Sequence, residues 1–354
     1  MLLRLLIIVF VTFSAPVSAL VILQYHHISH DTPHSTSITP ELFKQHLDYI
    51  QDNQFNVISL DDFVSALRDK KPFADKSVLI TFDDGYRSIY DQAFPLLKRK
   101  GFPFTVFVNT QPIGHNLNQF MSWQELQVMS QHQATIANHS VTHPHFIRRL
   151  ANESEVTWQA RITGEIVEAQ KLIEKHLGHS LKVFAYPFGE YDDKTQAILA
   201  DLGYIALGQQ SGAVPINVDL QSIPRFAFGG DYGAMDEFKT KINSLPMPIK
   251  TLQLLNENGQ VLDSHILTLE VNQPAIAIEL EAKFSSLQIA CYASGQGRLE
   301  PQFDGSKQVF KTKRKLPVGR SRFNCTAPAA QKGRFYWYTQ PWIKRNPDGS
   351  WYAE

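Results

Sequence analysis

The chain lacks a surplus of either charge: 34 Lys and Arg balance 34 Asp and Glu over 354 residues. Nucleic-acid partners are recruited by a basic patch or stripe, and this composition supplies none. Cysteine is nearly absent. Cys291 and Cys325 stand alone, both late in the chain, enough for one disulfide in an exported protein or for two buried thiols. A glycine-rich phosphate loop is missing too. Tyr25, His26 and His27 stand where it would follow the first expected strand, which argues against a nucleotide site. There is no internal repeat and no low-complexity tract. The apolar run at the start is short for a membrane span. Arg4, the apolar residues 5–13 and the small-residue triplet Val17-Ser18-Ala19 read as a secretory signal over residues 1–19, with the mature chain beginning near Leu20. No cysteine follows that site, so a bacterial lipid anchor is not expected. An uncleaved membrane anchor is the competing reading.

What remains is an ordinary globular composition, long enough for two domains or for one large α/β domain with an appendage. Strand-like and helix-like segments alternate from residue 21 to about residue 207. Strands are expected over 21–25, 78–82, 104–108, 135–137, 183–186 and 204–207. Thr39 is an N-cap with Pro40 at the first helical position, and Leu42, Phe43, Leu47 and Ile50 give that helix an apolar face. Ser59 and Asp62 open a second helix. Others are expected over 87–100 (stopping at Gly101), 123–129, 154–177 and 195–202. Such alternation implies a parallel sheet, doubly wound or closed into a barrel. Residues 244–250 read as a linker. Beyond them, short alternating runs at 265–271, 275–281, 287–292 and 335–338 predict a small antiparallel β-sandwich over residues 251–354.

Polar residues gather where the strands end. The apolar run 78–82 stops at Asp83, Asp84 and Gly85. Burying two adjacent carboxylates is costly without compensation, and a metal ion together with a protonatable substrate would supply it. The bland alternative is a strand followed by an Asp-capped helix. His26 and His27 follow 21–25, Asn138, His139 and His143 follow 135–137, and Pro187, Phe188 and Gly189 follow 183–186. In a parallel barrel all C-terminal strand ends open on one face, so these segments converge there. His139 and His143 are spaced i, i+4, and Pro144 behind them favours a loop over a helix. With one carboxylate, such a pair can hold a metal and leave a position for water.

Thr81-Phe82-Asp83-Asp84-Gly85 together with His139-Ser140-Val141-Thr142-His143 resembles the first two motifs of the metal-dependent polysaccharide deacetylases, the nodulation-factor deacetylase group of carbohydrate esterases. Phe184-Ala185-Tyr186-Pro187-Phe188-Gly189 resembles the third. The resemblance covers roughly residues 20–230, and Tyr25-His26-His27-Ile28 is similar to the branch of exported poly-β-1,6-N-acetylglucosamine deacetylases. It implies a distorted (β/α)7 TIM-like barrel over residues 20–243, holding one divalent ion. Asp84, His139 and His143 would be the ligands and Asp83 the general base. Zinc is the first expectation from this ligand set; nickel, cobalt or iron fit the same donors. Tyr186, Pro187, Phe188 and Gly189 would border the substrate, with a backbone N–H of that stretch meeting the oxyanion. The implied activity is removal of acetyl groups from N-acetylated sugars of a polysaccharide, in the periplasm or outside the cell.

Two positions depart from the family. Its third motif opens with an Arg that orients the catalytic Asp; here that position is Ala185. Arg225, in Ile223-Pro224-Arg225-Phe226, is available instead, unless it is a surface Arg. The family's late Leu-x-His acid motif is not evident before the linker. His26 is the best substitute as general acid and His27 a weaker one. Three readings stay open: an N-deacetylase, an O-acetyl esterase on a cell-envelope or plant glycan, and an inactive glycan-binding module. The aromatic residues 335–338, Trp342 and Trp351 suit either a sandwich core or a glycan platform, and the C-terminal unit offers a surface for a protein partner. No nucleic-acid partner is expected, and no stable membrane span after signal cleavage.

Overall fold

The computed structural model describes residues 19–115 and 117–353. The expected signal segment, apart from Ala19, lies outside them. Seven strands build the central sheet: β1 (Leu20–Tyr25), β2 (Ser77–Phe82), β3 (Phe104–Val108), β4 (Ala134–Asn138), β5 (Val183–Ala185), β6 (Ile205–Leu207) and β7 (Phe226–Ala227). Their order is β7-β1-β2-β3-β4-β5-β6. Every pairing is parallel, and residues 56–57 add a short strand to β2. All residues of β1 and β2 are buried. A strand covered on both faces requires that, which is why 78–82 is a continuous apolar run. A lone bridge between Leu207 and Ile223, and the Arg225 N–H donating to the Gln210 carbonyl at 3.0 Å, draw the β6 edge toward β7. The result is a mixed α/β fold with a curled parallel sheet whose C-terminal strand ends share one face.

The helices start where their caps dictate. α1 (Pro40–Asp52) opens with the Thr39 hydroxyl accepting from the Leu42 N–H at 3.2 Å, and α2 (Leu60–Arg68) with a reciprocal Ser59–Asp62 capping box. Each such cap is worth about 1 kcal/mol. The helix expected over 87–100 is not uniform. It splits into a π turn, Ile89–Ala93, and α3 (Phe94–Lys100). Pro95 has no N–H to donate and its ring crowds the carbonyl four residues back, so the turn ahead of it widens. α4 (Trp123–Ser130), α5 (Glu155–Leu177) and α6 (Asp193–Asp201) follow the expected periodicity, and α5 runs from a Ser154 cap to Gly178. α7 (Met235–Ile242), which the sequence reading did not anticipate, buries Phe238 and Ile242.

Beyond residue 244 the strands include β8 (Leu245–Pro246), β9 (Ile249–Leu255), β10 (Ala275–Leu280), β11 (Ala290–Ala293), β12 (Lys307–Lys311), β13 (Gly319–Pro328) and β14 (Phe335–Lys344), with short strands at 261–262, 266–267, 297–299 and 302–304. β9, β10 and β12 belong to one sheet; β8, β14, β13 and β11 belong to another. Ile276, Ile278 and Phe310 from the first and Cys291, Phe323, Cys325 and Trp342 from the second share one core. Cys291 and Cys325 face each other across β11 and β13 and are bonded. The expected linker is a correction. Residues 244–250 hold β8, which pairs with β14, and the start of β9. Leu245 and Met247 are buried, and Pro246 between them lies in β8 at the edge of its sheet, where a missing N–H is tolerated. Trp337 of β14 also packs edge-on against Phe226 of β7, with ring centroids 5.2 Å apart.

Candidate active site

Asp83 and Asp84 follow the end of β2 and take different partners. Asp83 is fully buried. Its Oδ1 accepts from Arg225 Nη1 at 2.7 Å, and its Oδ2 from Arg225 Nη2 at 2.8 Å and from Gln24 Nε2 at 2.7 Å. Arg225 is equally buried, and its Nε donates to the Gly208 carbonyl at 2.9 Å. It enters from the residue before β7, the strand beside β1, and so reaches the end of β2 that Ala185 on β5 leaves without a cation. Burial alone would raise the Asp83 carboxyl, but the charge of Arg225, then that of His139, outweighs it and holds the group below the usual range.

Asp84 turns the chain with φ 72° and Gly85 follows at 77°. Asp tolerates that left-handed region better than most residues. The positive φ favours glycine at 85, and a Cβ there would also stand a tight 3.2 Å from the Val108 side chain. Asp84 Oδ1 lies 3.3 Å from His139 Nε2 and 3.5 Å from His143 Nε2. The His139 ring is oriented from behind, since its Nδ1 is 2.7 Å from the Ala185 carbonyl. A carbonyl only accepts, so Nδ1 carries the proton and Nε2 presents a lone pair. The loop to His143 is held by the Ser140 hydroxyl, which accepts the His143 N–H at 2.9 Å. Glu165 of α5 also pins it, accepting from the N–H groups of Val141 and Thr142 at 2.9 and 2.8 Å. Among the described residues nine non-glycine residues have positive φ, and Asp84, Ser140, His143 and Phe188 are four of them. Such strain collects at ligand clamps and active sites.

The donor set fits a divalent ion. One ligand atom from each of Asp84, His139 and His143 lies within 4.8 Å of the others. A tetrahedral ion with bonds near 2.0–2.1 Å spaces its ligand atoms about 3.3 Å apart. A backbone carbonyl on the far nitrogen of a ligating imidazole is the usual support. Burial would raise the Asp84 carboxyl, but the imidazoles of His139, His26 and His143 around it outweigh burial and hold it well below the usual range. Burial, then the neighbouring His139, lowers His143 to about 4, which favours a neutral imidazole able to donate electrons.

His26, half-buried, is close enough for its charge to bear on Asp83, Asp84 and His143. His27 stacks on Tyr86, centroids 3.6 Å apart, and burial, then the charge of His26, lowers it to about 4.

The expected substrate border at residues 186–189 needs correction. The Tyr186 side chain is buried, its hydroxyl donates to the Gln221 carbonyl at 2.9 Å and its N–H to the Leu207 carbonyl at 3.0 Å. It packs the core and has no donor to spare. Pro187 is buried and has no N–H, and the Gly189 N–H donates back to the Tyr186 carbonyl at 2.9 Å. Phe188 alone is partly exposed with an N–H that has no partner among the described residues. Gly189 is irreplaceable here, with φ 67° and a would-be Cβ 2.5 Å from the Gln209 side chain. Sequence reasoning missed Gln24 and Glu165. Gln24 had a signal, being one amide in the otherwise apolar run 20–24. Glu165, an acid on a helix, had none.

Residues 70–207 match the polysaccharide deacetylase family model. The Bacillus subtilis relative YxkH is 29% identical over 184 residues, 52% of this chain and 61% of that protein. The matched stretch is thus under two thirds of that relative's length. The poly-β-1,6-N-acetyl-D-glucosamine N-deacetylase of Staphylococcus epidermidis is 29% identical over 202 residues, 55% of this chain and 69% of that one. Among solved structures, the Streptococcus pyogenes deacetylase PplD, in complex with acetate, has a TM-score of 0.55 at 26% identity, covering 60% of this chain and 93% of that one. Asp83, Asp84, His139 and His143 all fall inside the matched residues, so the likeness to the polysaccharide deacetylase family takes in the whole candidate site.

Proposed function

We propose that this chain is an exported, metal-dependent deacetylase that releases acetate from N-acetylglucosamine-type sugars of a polysaccharide, with zinc as its ion. The observation that carries it is the division of labour between neighbours. Asp83 is paired with Arg225, while Asp84 meets two imidazoles. The N-terminal signal pattern supports export, and among the described residues no helix is long and apolar enough to cross a membrane. Residues 20–243 are read as the (β/α)7-type catalytic unit and 251–354 as a β-sandwich, a reading supported by the shared core of the two C-terminal sheets.

A divalent ion held by Asp84, His139 and His143 supplies Lewis acidity, polarising the acetyl carbonyl and easing deprotonation of a water. The rest falls to side chains of this chain. Asp83 is ionised, and among the described residues its Oδ1 accepts from Arg225 alone, so a lone pair remains for the proton of the attacking water. The oxyanion that forms on the acetyl oxygen takes a hydrogen bond from the Phe188 N–H. As the C–N bond breaks, His26 donates a proton to the departing nitrogen, leaving a free amine and acetate. In this role His26→Ala lowers N-acetyl turnover by roughly 10²-fold or more. O-acetyl ester hydrolysis, whose leaving group needs less help, changes far less. Full N-acetyl turnover in the metal-loaded variant would remove His26 from the reaction.

The reading is tested by acetate release from a β-1,6-linked N-acetylglucosamine oligomer. Release should stop on chelation and return with added zinc. Acetate formed equally well after chelation, or none from any N-acetylglucosamine polymer, sinks it. The same preparation offered an O-acetylated glycan separates the esterase reading, and stoichiometric metal content separates a binding-only module.

A further inference from the structure

Behind His143 stands a relay of contacts that ends in the C-terminal unit. The Phe188 ring lies edge-on to the His143 ring, centroids 4.5 Å apart. Its other neighbour is the His145 ring, stacked at 3.9 Å and 10°. His145 Nδ1 is 2.7 Å from Glu190 Oε2, and the Glu190 side chain is wholly buried. The second Glu190 oxygen accepts the Tyr352 hydroxyl. Arg148 lies 3.5 Å from that same oxygen and donates to the Tyr352 carbonyl at 3.1 Å. A second strut arrives separately: Arg320, at the start of β13, donates to the Phe188 carbonyl at 2.7 Å. Phe188 itself holds a left-handed backbone, φ 58°, a conformation that persists only where its surroundings enforce it.

Residues 320 and 352 belong to the C-terminal stretch, yet one bonds the Phe188 backbone and the other bonds Glu190, the partner of the His145 ring stacked on Phe188, whose ring packs against His143. A buried carboxylate is costly unless its oxygens are bonded, so Glu190 favours the arrangement in which His145 and Tyr352 both reach it. That arrangement presses Phe188 between His145 and His143. We infer that Tyr352 and Arg320 are positioning residues for His143: the C-terminal unit sets the ring orientation of a metal ligand through Glu190, His145 and Phe188. The inference rests on the proposed role of His143 as a ligand. It assigns the residues after 250 a part in the site without contact with substrate.

The test is made on the full chain with Tyr352→Phe, Arg320→Ala and the double variant. Tyr352→Phe removes one hydroxyl, and Arg320 is exposed, so folding is preserved and is checked by thermal melting. Zinc affinity is read by chelator competition, and the cobalt-substituted protein by its visible spectrum, which reports ligand geometry. Support around a metal ligand is worth roughly 10–100-fold in affinity. We expect about 10-fold weaker zinc binding in each single variant, a larger loss in the double variant and a changed cobalt spectrum. Zinc affinity and cobalt spectrum both unchanged in folded variants, even with a lower melting temperature, would reduce the relay to fold support and overturn the inference. If the unaltered chain itself binds no stoichiometric zinc, the proposed function fails first, and the two failures are distinguished.

Discussion

Asp83→Asn should lower turnover by roughly 10²–10⁴-fold, the usual contribution of a positioned general base, while the protein still binds one zinc ion. The second half of that expectation makes it informative. Asp83 and Asp84 are adjacent, but Asp84 alone lies against His139 and His143. An amide at position 83 keeps the shape of the carboxylate, loses its capacity to take a proton, and leaves the three-residue set intact. It also sets an NH₂ group near the Arg225 fork, so some stability is lost, and rates must be normalised to folded, metal-loaded protein. Near-normal turnover at full zinc occupancy would exclude Asp83 as the base. Loss of zinc in step with activity would move it into the ligand set instead.

Arg225→Ala is expected to be costly twice. Both partners of the ion pair are wholly buried, and removing one partner of such a pair typically costs roughly 3–5 kcal/mol because the survivor is left uncompensated. For a domain of this size that lowers Tm by on the order of 10 °C. Turnover should fall as well, since the two guanidinium nitrogens aim both Asp83 oxygens. Arg225→Lys should recover little, because one ammonium cannot reproduce a two-nitrogen fork. The pH dependence has a definite sign. Arg225 helps hold Asp83 below the usual range in the folded protein, so the pair's contribution is fully present above the unfolded carboxylate value near 4 and is lost as pH falls through the folded one. The stability gap between the native chain and the alanine variant is therefore full at neutral pH and narrows in acid. A constant gap from neutral to strongly acid pH, or wild-type turnover in the variant, would contradict the tether.

The parts of the fold legible in the sequence are those written locally. Ser59 with Asp62 and Thr39 before Pro40 set helix starts through neighbouring groups, and Ser154 and Gly178 mark the two ends of α5. The buried run 77–82 announces itself because both faces are covered. The long strand β14 was read only in part and β13 not at all. β13 alternates cleanly in burial, but Arg320, Arg322, Asn324 and Thr326 occupy its outer face and Ser321 its buried one, which blurs the apolar count. At the site, the Asp83-Asp84-Gly85 and His139–His143 motifs were visible because each is short. Arg225 was visible only as a gap to be filled at Ala185. The Glu190 relay was not visible at all: its bonds join residues up to 204 positions apart, and neither Glu190 nor Tyr352 is unusual in its own stretch.

The ion pair of the central sheet also constrains the order in which this chain can mature. Asp83 and Arg225 are separated by 142 positions. At about 5–20 residues per second of translation, the acid is made roughly 7–30 s before its counter-charge exists. Until that cation is in place, on the ribosome or after export, a dry enclosure around the ionised carboxylate is costly, so the sheet closes over Asp83 only with water present or with the acid protonated. β7, the last strand of the sheet to be synthesised, therefore works as a clasp: it delivers the cation that allows water to leave.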